Sequence, residues 1–167
     1  MANQTASARK PAEMQAESAF TLKVVRRLKA PQALVFKMFT DAAHLARWFG
    51  PVGFTCSDCT VEARLGGRFY ADMLSPDGNH HRVQGVFKEI LPDRRVGFTW
   101  AWLDQAGMPR TPGLETIVTI DLVAQGDETE LTLRHVGFEN ADQAGMHTQG
   151  WESCFVSLAQ YLAELAA

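Results

Sequence analysis

From Phe20 to Leu28 apolar and polar residues alternate, with Phe20, Leu22, Val24 and Leu28 on one side. A period of two is that of a half-buried strand. The period then lengthens. Leu34, Val35, Met38 and Phe39 form a helical stripe behind Pro31, which opens a helix without losing a hydrogen bond, since first-turn N–H groups have no intrahelical acceptor. Asp41 suits the N-cap of a second short helix carrying Leu45, Trp48 and Phe49, and Gly50-Pro51 ends it.

Between Phe54 and His135 short alternating segments are separated by turn residues. "TCSDCTVEARL" leads to Gly66-Gly67, "RFYADML" to the hairpin loop "SPDGN", and "HHRVQGVFKEI" to Pro92-Asp93. "RRVGFTWAWL" precedes a glycine- and proline-rich loop from Asp104 to Gly113, and "QGD" joins "LETIVTIDLVA" to "ETELTLRHV". After Asn140 the helical period returns and holds to the end. His147, Trp151, Cys154, Phe155, Leu158, Leu162 and Leu165 recur at spacings of three and four and share one face; Glu152, Gln160 and Glu164 lie opposite.

One strand, two short helices, about six strands joined by hairpins and one long helix predict an α+β antiparallel meander. Its apolar face is large, and only the last helix is long enough to cover it. Trp151 is the largest plug between them. Gly150 precedes it, although glycine inside a helix costs about 1 kcal/mol relative to alanine. With the small row Gly150, Cys154 and Ser157, this predicts open space under the helix rather than a strand in close contact. Trp100 and Trp102, in phase with Phe98 and Val96, face the same space.

Composition narrows the class. The chain has 167 residues, enough for one domain with a tail, and no metal or disulfide is needed to hold it. We expect a flexible tail over 1–19, with a helical turn from Ala12 to Ser18, and a single domain over 20–167. A net charge of −3 argues against nucleic-acid or anionic-membrane surfaces. No run of about 20 apolar residues suggests a membrane span, and the first residues lack the apolar core of a secretory signal. The expected location is cytoplasmic, with the three cysteines reduced.

Four stretches carry a resemblance: "APQALVFKMFTDAAHLARWFGP" (Ala30 to Pro51), "GGRFYADMLSPDGNHHRVQGVF" (Gly66 to Phe87), "RRVGFTWAW" (Arg94 to Trp102) and "HTQGWESCFVSLAQYL" (His147 to Leu162). They resemble the Aha-type family, homologues of the activator of the heat-shock protein 90 ATPase within the START/birch-pollen-allergen-like SRPBCC superfamily. The resemblance runs from Phe20 to Leu165. It implies the helix-grip fold: a curved antiparallel sheet of about seven strands gripping a C-terminal helix over a cavity.

Few residues suggest chemistry. Cys56 and Cys59 form a C-x-x-C, but on a regular strand residues three apart point to opposite faces. The pair is therefore expected to diverge and to serve neither redox nor zinc chemistry. Cys154 reads as a small buried hydrophobe. His80-His81 follows a hairpin turn and reads as surface, and His44 is expected to face solvent. His135, in phase with Leu131 and Leu133, and His147, four residues before Trp151, point inward. An inward histidine is more often a hydrogen-bonded core residue than a base. No Ser-His-Asp or paired-carboxylate spacing is present.

The expected cavity lining is Trp100, Trp102, His135, His147, Gly150, Trp151 and Cys154. Aromatic walls with few polar groups suit a small hydrophobic or amphipathic ligand. Catalytic residues, metal and cofactor are not expected. Two alternatives stay open: a chaperone-interacting module, which the resemblance implies, and a cyclase- or hydrolase-like enzyme using His135 or His147 as base. A homodimer is also left open.

Overall fold

The computed structural model describes residues 20–167, so the tail expected over 1–19 lies outside the described residues. The elements follow in the order β1 (Thr21–Leu28), α1 (Gln32–Thr40), α2 (Ala42–Trp48), β2 (Thr55–Val61), β3 (Arg68–Leu74), β4 (His80–Leu91), β5 (Arg95–Leu103), β6 (Thr116–Gln125), β7 (Glu128–Val136) and α3 (Ala141–Ala166). The strands make one seven-stranded sheet in the order β1-β7-β6-β5-β4-β3-β2. All its pairings are antiparallel. This is the α+β helix-grip architecture expected from the chain.

The sheet bends where its ladder is interrupted. β2 carries a register shift between Cys56 and Asp58, and β4 one between Phe87 and Glu89. An extra residue on one strand locally increases twist and bends it. β4 also crosses Thr99 at Gly85, where a Cβ would stand 1.7 Å from the Thr99 carbonyl oxygen. Only glycine permits that approach, and Val86 N–H donates to Thr99 Oγ1 at 2.9 Å beside it.

α1 and α2 close one end. Pro31 precedes α1, and Asp41 caps α2 by accepting from Ala43 N–H at 2.9 Å. Trp48 Nε1 donates to the Met38 carbonyl at 3.1 Å, and its ring meets Phe39 edge-on at 5.2 Å. The two short helices are thereby joined through their apolar stripes.

α3 lies across the concave face, capped by Asn140, whose side chain accepts from Gln143 N–H at 2.9 Å. Trp151, Cys154, Phe155, Leu158 and Leu162 are buried. Leu165, expected on the same face, is 43% exposed in the last turn, and the last inward positions are Tyr161 and Leu162. The Tyr161 hydroxyl reaches His44 Nδ1 at 2.9 Å, so His44 is half-buried rather than turned to solvent. Phe20 also departs from expectation. It precedes β1 and is 37% exposed, outside the alternation that buries Leu22, Val24 and Leu28.

Candidate functional site

Three rings set the floor of a cavity under the N-terminal half of α3. Phe49 leaves α2 at its C-cap, Trp100 comes from the middle of β5, and Trp151 comes from α3. Their centroids are 6.1 Å (Phe49–Trp100), 6.1 Å (Phe49–Trp151) and 5.1 Å (Trp100–Trp151) apart. Gly50, at φ 133°, turns the chain sharply out of α2. An L side chain there would be strained, and its Cβ would also lie 3.0 Å from that of Phe54. Val52 N–H then donates to Ser153 Oγ at 2.9 Å, tying this turn to α3.

The cavity encloses about 490 Å³. Its walls add Phe54, Met73, Trp102, Met146, Gly150 and Cys154, and its polar groups come from His81, Arg110, Gln143 and His147. A Cβ placed on Gly150 meets nothing within 4 Å. The glycine therefore borders open space, and no strand packs directly on it. A smaller cavity of about 190 Å³ lies beyond Trp102 and His147, sharing Trp100, Arg110 and Gln143 with the first.

Six of the seven expected lining residues border the larger cavity: Trp100, Trp102, His147, Gly150, Trp151 and Cys154. His135 borders neither cavity and is 0% exposed. It sits behind the wall because Trp100 and Phe138 pack on its ring, at 5.6 Å and 4.4 Å. Its hydrogen bonds fix its state. Trp151 Nε1–H donates to Nδ1 at 3.1 Å, so Nε2 carries the proton and donates to Thr116 Oγ1 at 2.6 Å. The Thr116 hydroxyl donates in turn to the Trp100 carbonyl at 3.1 Å. His135 is a neutral core residue.

His147 is fixed in the opposite tautomer. Nδ1–H donates to the Gln143 carbonyl at 2.7 Å, and Nε2 accepts from Trp102 Nε1–H at 2.8 Å. Burial lowers the pKa of both histidines from 6.5, His135 well below it, and a charged His147 would push His135 lower still. Trp100 differs from its neighbours. Its Nε1–H is the one buried side-chain polar atom without an acceptor among the described residues.

Two expectations about chemistry need correction. His81 was read as hairpin surface, yet it is half-buried, borders the cavity and packs against Phe54 at 5.5 Å. Its phase with Val83 and Phe87, both buried, carried that signal. Cys56 and Cys59 were expected to diverge. The register shift in β2 instead turns both toward the core side, where the Cys56 thiol donates to the Asp58 carbonyl at 3.7 Å and the Cys59 thiol to the Ala42 carbonyl at 3.3 Å. Burial pushes the Cys56 thiol up to about 12 and raises that of Cys59. Both are protonated at neutral pH, unlike the low-pKa thiols of redox pairs. Arg110, in an exposed loop, gave no signal in the sequence. No cluster among the described residues has three or more side chains placed to hold a metal ion. No helix of the described residues is long and apolar enough to cross a membrane.

A curved sheet closed by one long helix, with a cavity beneath its first turns, defines a helix-grip domain of the START/SRPBCC class. Residues 29–163 match the family described as Activator of Hsp90 ATPase homolog 1-like protein, and the chain belongs to that family. The fold is similar to the AHSA1 protein of Silicibacter pomeroyi, at 27% identity and a TM-score of 0.77, over 86% of this chain and 97% of that one. A protein of Nitrosomonas europaea is similar at 27% identity and a TM-score of 0.72, over 88% and 96% of the two chains. The solution structure of an Arthrobacter aurescens protein is similar at 25% identity and a TM-score of 0.76, over 95% and 92%. Among the curated proteins nothing matches the chain.

Proposed function

We propose that this chain is a non-enzymatic binding domain that takes a small hydrophobic or amphipathic molecule into the space between sheet and α3. The supporting observation is the open volume beside Gly150. It is about 490 Å³ and walled by Phe49, Trp100, Trp102 and Trp151, a size and lining typical of small-molecule pockets, which span roughly 300–1,000 Å³. The lone pairs of His135 and His147, which an enzymatic reading would use as a base, already accept indole N–H groups. A general base needs that lone pair free to take a proton.

The test is a titration with N-phenyl-1-naphthylamine, a neutral apolar dye that brightens in dry surroundings. Saturable binding to the wild type is expected. Gly150→Leu should place a side chain in the open volume and weaken that binding while the protein still melts cooperatively. At a hundredfold excess over the Kd the ligand should stabilise the wild type by about 2.7 kcal/mol. A dye that never saturates, or binds Gly150→Leu equally well, would remove the reading.

A further inference from the structure

We propose that the ligand is an acid: an amphipathic molecule whose apolar body fills the cavity and whose anionic oxygens are held by Arg110 at its rim. This rests on the cavity being a binding site and adds the chemical class of what enters it. Arg110 is exposed to solvent yet borders both cavities, which places it where inside meets outside. Among the described residues no aspartate or glutamate borders the larger cavity. In a chain of net charge −3, the one permanent charge that the described residues give it is therefore positive.

The arginine is held in place from several sides. Its main-chain N–H donates to the Trp102 carbonyl at 2.8 Å, and the neighbouring Pro109 is bridged to Leu103. Its Nε–H donates to the Leu103 carbonyl at 3.1 Å. The guanidinium carbon stands 5.7 Å from the centre of the Trp102 ring, itself a wall of the cavity. Stem and plane are fixed, whereas the two terminal nitrogens have no partner among the described residues.

The nearby acids do not neutralise it. Asp104, at the start of the same loop, accepts from the main-chain N–H groups of Ala106 and Met108 through Oδ1, both at 2.9 Å. Glu139 borders only the smaller cavity and makes no ion pair with Arg110 among the described residues. A pre-oriented guanidinium whose two terminal NH2 groups are free is the complement of a carboxylate or sulfonate, which it can hold end-on by paired charge-assisted hydrogen bonds. Ordering costs little there, because the arginine is already restrained.

Two dyes with one ring system separate head from body. 1-Anilinonaphthalene-8-sulfonate carries an acid group, and N-phenyl-1-naphthylamine lacks it. Both are titrated into wild type, R110Q and R110K, with thermal melts to confirm that each variant folds. The readout is the ratio of the two affinities, so effects on the shared rings cancel. R110Q should shift this ratio against the sulfonate by about tenfold, the size of one charge-assisted contact. R110K, which keeps the charge and loses the fork, should recover part of it. An unchanged ratio in R110Q, with both dyes still binding, would overturn the acid assignment and leave the cavity as an apolar site. If wild type binds neither dye, the binding reading and the acid assignment fall together.

Discussion

Trp100 and Trp151 stand ring to ring at 5.1 Å, both nearly buried, but their indole N–H groups have opposite fates. That of Trp151 is accepted by His135, and that of Trp100 has no acceptor among the described residues. Trp151→Phe should leave a buried imidazole nitrogen unsatisfied, at an added cost of about 1–3 kcal/mol. Trp100→Phe removes an unsatisfied donor and should cost clearly less, although it loses a similar ring area. Denaturant midpoints of the two variants give the comparison; equal losses would mean that the Trp151–His135 bond contributes nothing. At this scale the sequence was partly legible. The phase of the strand pointed His135 inward but could not tell a residue at the cavity surface from one behind it. That difference is made by Trp100 and Phe138, which come from other segments.

At the scale of the element, two glycines make the contrast. Gly150 in α3 has open space beside it, whereas Gly85 in β4 touches the backbone at Thr99. Gly150→Ala should be neutral or stabilising by up to about 1 kcal/mol, since it removes the helical glycine penalty without a clash. Gly85→Ala drives a methyl group into a carbonyl oxygen and should cost at least the ~1–3 kcal/mol of ordinary overpacking. Equilibrium unfolding would check both, and a strongly destabilised Gly150→Ala would mean that the helix lies closer to the sheet than described. Gly150 was readable because the helical period made its face known. The bends at Gly85 and Cys56 were not. An extra residue in one strand is defined only by its partner strand, so "CSDC" read as a regular alternation and its thiols were placed on opposite faces.

For the whole molecule, the neutral pair His135 and His147 ties stability to pH. Both folded-state pKa values lie below 6.5, so the unfolded chain takes up protons first as the pH falls. Their contribution is fully present above about 6.5 and is lost progressively below it, down toward the folded-state values. The His135 proton alone should lower stability by about 1.4 kcal/mol per pH unit within that window. Denaturant melts of wild type and His135→Gln between pH 7.5 and 5 would show it, the variant having the shallower slope. Identical slopes would mean that His135 is protonated in place. The architecture itself was legible at this scale, because turn residues mark each hairpin and the period of α3 marks its buried face. The two tautomers were not, since they depend on which indole reaches which ring.

The shift in β2 has a consequence beyond the two thiols. An open sheet ends in strands with unpaired backbone groups, and a flat, regular edge invites edge-to-edge aggregation. Here the outer strands are β1 and β2. β1 carries Lys23, Arg26 and Arg27 along its length, all exposed, so cations guard that side. β2 has no such row. Its protection is the extra residue between Cys56 and Asp58, which breaks the spacing that an incoming chain would need to match. The irregularity that turns Cys59 toward Cys56 also keeps the sheet from growing.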